Sequence, residues 1–225
     1  MSADGSFKQH IQNICNSANH MCSWILRTFQ SRSPELMLTL WKSLVLPILD
    51  YCSQLWSPSK IGQIKQIENV QKMFSRKIKL PSQQDYWDRL KSLNLYSLER
   101  RRERYRIIYV WKILEGIVPN LTDRSKIRTK SSLRFGRICC IPPLTTVNNR
   151  LQNLRDGSFC VNGPKLFNCV PSYIRNLKGI ELPEFKKELD KFLRTVADEP
   201  LSQGYTAGRR AASNSLLHMV LASGQ

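Results

Sequence analysis

Apolar residues recur at steps of three and four from near the start of the chain. Phe7, Ile11, Ile14, Ala18, Met21, Ile25 and Phe29 fall on one side of a 3.6-residue helix, which predicts an amphipathic helix over residues 6–30. Ser33-Pro34-Glu35 then supplies a capping hydroxyl, a proline suited to the first helical position and an early acid. The helix it opens carries Leu36, Leu40, Trp41, Leu44 and Val45, and Pro47 is expected to kink or break it. From Ile48 to Trp56 the pattern reads as helical again and almost wholly apolar, hence buried. Residues 59–80 predict a further helix, ended by Pro81, with Ile67, Val70, Phe74 and Ile78 on one side.

Ser97 can cap a helix over 97–115 that stops at Gly116. Ile107-Ile108-Tyr109-Val110-Trp111 is apolar all round and is expected to be central. Between Ile117 and Arg137 the periodicity dissolves, and Thr129-Lys130-Ser131-Ser132 reads as a flexible link. An apolar run ending at Pro142-Pro143, a turn at Val161-Asn162-Gly163-Pro164 and the stretch Phe167 to Val170 suggest short strands or loops. Pro183-Glu184 opens a final helix that turns Phe185, Leu189, Phe192 and Leu193 inward. Past Val196 the Gly, Ser and Ala content rises and order is expected to fade. The expected fold is mainly α: a helical bundle over 6–116, a linker over 117–137, a small irregular or β element over 138–196 closed by a helix, and a poorly ordered tail over 197–225.

Charge changes this picture more than composition does. A formal net charge of +18 works against a compact state unless a polyanion neutralises it, and nucleic acid is the commonest polyanion. No apolar run approaches a membrane span, and MSADGSFKQH lacks the apolar core of a secretion signal. The seven cysteines form no C-x-x-C pair, and an odd count without a secretion signal argues for reduced thiols in an intracellular protein, nuclear or cytoplasmic, and not secreted. Cys15 and Cys22 share a helix face with Ile11 and Ala18 and read as core, and Cys139-Cys140 reads as buried. No metal-ligand spacing is present.

The charges are patterned as well as numerous. On the 59–80 helix Lys65, Lys72, Arg76 and Lys79 form a narrow stripe opposite the apolar side, over roughly 21 Å at the standard rise. Arg100, Arg101, Arg102 and Arg104 crowd the first turns of the next helix, where cations oppose the helix dipole. Phosphate contact would explain them, and so would pairing with Glu99 and Glu103. The candidate nucleic-acid contacts are therefore Lys65, Lys72, Arg76, Lys79, Arg100, Arg101 and Arg104. Trp41, Trp56, Trp87 and Trp111 could stack on bases, but all of these except Trp87 lie in apolar runs and read as core.

Several landmarks follow one another in a distinctive order: Arg27-Thr28-Phe29, Leu40-Trp41-Lys42-Ser43-Leu44-Val45-Leu46-Pro47, Asp50-Tyr51-Cys52-Ser53, Trp56-Ser57-Pro58 and Gln66-Ile67-Glu68-Asn69-Val70-Gln71. This series resembles the region that follows the polymerase core in reverse transcriptases of non-LTR, jockey-like retrotransposons. Asn162-Gly163-Pro164-Lys165-Leu166-Phe167-Asn168, Pro171, Ile174-Arg175-Asn176-Leu177 and Phe185-Lys186-Lys187-Glu188-Leu189 resemble the C-terminal end of the same polyproteins. Cys169-Val170 departs from the family's small residue plus Leu. The likeness runs from about Phe7 to Leu193.

The resemblance implies a thumb-like helical region that closes on a template–primer duplex. It also implies a parent RNA-directed DNA polymerase, a nucleotidyltransferase whose palm carboxylates hold magnesium. This sequence has no Asp-Asp pair, and Asp50 sits in an apolar segment where a structural carboxylate is the better reading. Phosphate-cradling loops and nucleophile elbows are missing as well. The expectation is a piece of such a polymerase without catalytic residues, inactive alone and without a cofactor, magnesium belonging to the palm. Its expected partner is the backbone of an RNA–DNA or DNA duplex, with the palm or a second copy as further candidates and no membrane. The alternatives are a protein-interaction or self-association module, or an inert retroelement relic.

Overall fold

The structure is a computed structural model and describes residues 7–58, 60–81, 85–120, 126–132, 136–141, 155–200 and 214–222. It divides into two compact units, Met1–Arg102 and Glu103–Gln225, with the division falling inside one helix. The fold is mainly helical, with one small antiparallel sheet among the described residues.

In the first unit α1 (Lys8–Thr28) buries Ile11, Cys15, Ala18, Cys22 and Ile25, the face anticipated from the apolar spacing. Arg32 closes its C-terminus: Nη2 donates to the Leu26 carbonyl at 2.6 Å and Nη1 to the Phe29 carbonyl. A cation there also complements the helix dipole. Next, α2 (Pro34–Leu40) starts at its proline and runs into one π-helical turn, Trp41–Val45, before α3 (Leu46–Asp50). Pro47 lacks an N–H and its ring crowds the carbonyl of Ser43, so the wider turn accommodates it while Trp41, Val45, Leu46 and Leu49 stay buried.

The segment Ile48–Trp56 departs from the expectation of a continuous buried helix. The chain turns at Tyr51, Cys52 takes the left-handed conformation at φ 51°, and α4 (Ser53–Trp56) is a single short turn. Trp56 is buried, its indole N–H donating to the Tyr51 carbonyl at 2.7 Å. Tyr51 and Leu55 instead project outward, 76% and 71% exposed. Apolar content alone could not show which of these side chains the break would expel.

The basic helix α5 (Ile61–Ser75) packs against α1 and places Ile67, Val70 and Phe74 in the core. Phe74 stacks on Trp41 with ring centroids 4.9 Å apart. The helix is shorter than expected from the sequence. After Ser75 the chain tightens, Lys77 N–H donating to the Phe74 carbonyl at 2.9 Å, and Lys79 N–H then crosses to the Arg32 carbonyl at 2.9 Å. Burial of Ile78 and the extended backbone favoured before Pro81 account for the early stop. Asp85 caps α6 (Tyr86–Ser92), and Ser97 Oγ accepts the Arg100 N–H at the start of α7 (Leu98–Leu114). Gly116, at φ +73°, ends α7 as anticipated.

In the second unit Trp111 of α7 stacks on Phe185 of α10 (Leu182–Thr195), centroids 4.4 Å apart, and donates to the Leu177 carbonyl. The expected linker contains structure. Thr129–Ser132 (β1) pairs antiparallel with Gly136–Cys139 (β2), Thr129 opposite Cys139 and Ser132 opposite Gly136. Asn168, Asn176 and Arg175 pin β2: Asn168 exchanges hydrogen bonds with the Cys139 backbone, Asn176 Oδ1 accepts the Arg137 N–H, and Arg175 donates to the Arg137 carbonyl. These partners lie far along the chain, so local propensity misread the segment.

The expected turn at 161–164 is part of a helix, α8 (Phe159–Asn168), with Pro164 inside it. Burial of Phe159, Val161, Leu166 and Phe167 outweighs the lost backbone hydrogen bond. Gly163 sits where a Cβ would lie 3.0 Å from Val110 Cγ2. A short turn, α9 (Ser172–Arg175), leads to α10, whose Phe185, Leu189, Phe192 and Leu193 are buried as expected. Part of the tail lies outside the described residues, but α11 (Leu216–Ala222) is helical. Glu103 accepts the Ser215 hydroxyl and, at 2.9 Å, the Leu216 N–H, and Leu216 is fully buried.

Candidate nucleic-acid interface

Between Lys60 and Lys79 the sequence holds six cations and one acid, Glu68. Glu68 lies on the flank of the stripe, three residues after Lys65 and four before Lys72, and its hydrogen bonds engage it with the fold. It accepts the Tyr86 hydroxyl and, at 3.2 and 3.0 Å, the Leu98 N–H at the start of α7. Gln71, one turn on, donates to the Tyr96 carbonyl at 3.0 Å and to the Tyr86 hydroxyl at 3.2 Å. These bonds fix α5 against α6 and the first turn of α7. They also engage the one carboxylate of the segment, which makes no ion pair with the strip's cations.

Lys60, Lys65, Arg76, Lys77 and Lys79 are exposed, and Lys72 is half-buried with Nζ 5.8 Å from the centre of the Tyr86 ring. Among the described residues no carboxylate pairs with Lys65, Lys72, Arg76 or Lys79. Lys65 and Lys72 lie two turns apart on one face, about 10 Å along the axis. Arg76 caps the helix, while Lys79 lies beyond it in irregular chain, so the stripe is partly helical and partly loop. Three cations at and just past a helix C-terminus also sit favourably in its dipole.

The arginine cluster of α7 is placed differently. Arg100 is fully buried and Arg102 is 2% exposed. Arg101 Nε lies 2.7 Å from Asp50 Oδ2, and Arg104 makes a two-pronged pair with Asp190 at 2.5 and 2.7 Å. These groups are held by protein carboxylates from α3 and α10, each pair inside its own unit. Pairing with Asp50 and Asp190 accounts for Arg101 and Arg104. Asp50 is accordingly a structural carboxylate. Arg137 pairs with Glu115 at 2.6 Å, and Arg175 is 7% exposed, burial holding its guanidinium below the usual range. Much of the positive charge is thus internal scaffolding, and the surface excess is concentrated on fewer groups than the net charge suggests.

Over 153 residues the chain is 31% identical to the uncharacterized protein B0403.1 of Caenorhabditis elegans, a match that covers 64% of this chain and 77% of that protein. The chain belongs to the family of B0403.1. No family model matches it, and no solved structure does.

Other chemistry on this member of the B0403.1 family is sparse. Among the described residues no group of three His, Cys, Asp or Glu could hold a metal ion, and no helix is long and apolar enough to cross a membrane. Burial pushes the Cys15 and Cys169 thiols up to about 11 and those of Cys22 and Cys139 to about 12. Cys52 is the exposed thiol. Two features of the strip were not singled out from the sequence. Lys60 and Lys77 join its exposed cations, although they fall off the helical stripe. Glu68 and Gln71 form its anchor, signalled only by two polar residues three apart beside core positions.

Proposed function

We propose that this chain binds the backbone of nucleic acid without regard to sequence, through the cations of α5 and the segment after it. The observation that carries this reading is the engagement of Glu68. With the one acid of the segment hydrogen-bonded to Tyr86 and Leu98, Lys65, Lys72, Arg76 and Lys79, with Lys60 and Lys77, form a strip without a paired carboxylate among the described residues, partly on α5 and partly on the residues flanking it. A strip of that kind gains binding free energy by releasing counterions from a polyanion. The resemblance to the post-palm region of non-LTR retrotransposon reverse transcriptases supports the same reading, and a template–primer duplex is the ligand it implies. Catalysis is not part of the proposal, because the chain contains no Asp-Asp pair. Magnesium would enter only with a palm.

The test is binding of a DNA duplex and an RNA–DNA hybrid across a salt series. Affinity should fall steeply as salt rises, and Lys72→Glu with Arg76→Glu should flatten the slope by about one to two contacts' worth. Binding that ignores salt, or that survives the double reversal unchanged, overturns the reading.

A second reading rests on its own observation. Tyr51 and Leu55 are 76% and 71% exposed in a stretch, 51–59, that carries no charge. Such a patch suits a protein contact, including a second copy of the chain. Sedimentation that depends on concentration in the wild type and not in Tyr51→Ser/Leu55→Ser would support it; a monomer at all concentrations would remove self-association.

A further inference from the structure

The flank of the basic strip is aromatic. Lys72 Nζ lies 5.8 Å from the centre of the Tyr86 ring, and the Trp87 ring lies 5.0 Å from Tyr86, tilted by 57°. Tyr86 is locked: it is buried, its hydroxyl donates to Glu68, and Arg89 also lies 5.9 Å from its ring. Trp87 is only partly covered and lies outside the buried core. Beside it stand two exposed acids, Asp85, which caps α6 by accepting the Asp88 N–H at 2.7 Å, and Asp88, which pairs with Lys91 at 3.4 Å. Phosphates are drawn to Lys72 and Arg76 and repelled from the acids around Trp87.

A duplex presents its phosphate backbones outward and keeps its base faces stacked inside. It has no free base face to offer a partly exposed indole flanked in the chain by Asp85 and Asp88. An unpaired strand has both parts: a phosphate chain for the cations and a free base face for the indole. We infer that the strip, if it binds nucleic acid as proposed above, prefers a single-stranded segment whose base stacks on Trp87 while the adjoining phosphates lie on Lys72 and Arg76.

The experiment compares a fluorescein-labelled oligothymidylate with a mixed-sequence DNA duplex of equal length at one salt concentration. The wild type should favour the oligothymidylate. Trp87→Leu keeps apolar bulk but removes the stacking face, and should lower that affinity by roughly 5- to 100-fold. Its duplex affinity and its salt slope should not change. Trp87→Phe retains a ring and should recover most of the loss, which separates stacking from any disturbance of the fold. Equal losses on both ligands, no loss on either, or Phe behaving like Leu would overturn the inference. Lys72→Glu/Arg76→Glu tests the parent reading separately. If that variant leaves both ligands bound as before, backbone binding itself fails; if it weakens both while Trp87→Leu changes neither, only the stacking site fails.

Discussion

The Glu68 carboxylate holds the Leu98 N–H at 3.0 Å, so a side chain of the basic helix caps the N-terminus of α7 from thirty residues away. A helix start carries free N–H groups and a partial positive charge, and a carboxylate satisfies both. The same group takes the Tyr86 hydroxyl. Glu68→Ala should therefore cost about 1–3 kcal/mol, more than an ordinary cap, because two donors lose their acceptor. Glu68→Gln, which keeps an acceptor oxygen, should cost less. Urea unfolding monitored by circular dichroism ranks the two, and equal stability of all three proteins would contradict the hub.

Asp50 and Arg101 form a comparable long-range tie, 2.7 Å apart and 15% and 27% exposed. Exposed pairs contribute little and breaking a buried one costs several kcal/mol, so Asp50→Asn should fall between, at about 1–3 kcal/mol. Arg101→Met should cost a similar amount. A double-mutant cycle should return a coupling free energy clearly above zero; strict additivity would mean that the pair is structurally incidental.

Which parts of this were readable beforehand follows from how local each cause is. The apolar faces of α1 and α10 depend on spacing alone, and both were legible. Gly116 as a helix stop and Ser97 as a cap are equally local. The break at Tyr51-Cys52 has no glycine or proline at the turn itself, so nothing in its own residues signalled it. Helix α8 contains Gly163-Pro164, which reads as a turn until Val110 and the buried face of the helix are seen to require it. The arginines are the sharpest case. Arg101, Arg104 and Arg137 find carboxylates 51, 86 and 22 positions away. A count of charges could not tell those from Lys65, Arg76 and Lys79, which face solvent.

Gly136 should be intolerant of any side chain. Its φ is +63°, and an added Cβ would lie 2.5 Å from Asn176 Nδ2, the side chain whose oxygen accepts the Arg137 N–H at 2.8 Å. Gly136→Ala combines backbone strain with displacement of Asn176 and should destabilise the second unit by about 2–4 kcal/mol. Asn176→Ala should recover part of that cost in the double variant. Thermal unfolding of the three variants decides it, and a Gly136→Ala protein as stable as the wild type would refute the packing described.

Thiol chemistry gives a prediction with a definite pH direction. Burial raises Cys15 and Cys169 to about 11 and Cys22 and Cys139 to about 12, from an ordinary 9.0. The unfolded chain thus releases these protons first as pH rises. Their contribution to stability is complete below about pH 9 and is lost progressively towards pH 12. Denaturant midpoints should fall across that window, and Cys22→Ala should shrink the fall. At neutral pH a thiol reagent should modify Cys52 rapidly and the four raised thiols only after unfolding. Cys52→Ser should remove the fastest phase and leave the slower reaction of the partly exposed Cys140 and Cys160.

The engagement of Glu68 with the fold also bears on handling the protein. A helix face whose one acid is committed elsewhere must draw its neutralising charge from the surroundings. Lysate polyanions compete with chloride for that role, and low ionic strength favours them. Purified without a high-salt wash, the protein should carry absorbance at 260 nm that a heparin column removes. Glu68→Gln should carry at least as much, since that carboxylate makes no ion pair with the strip's cations.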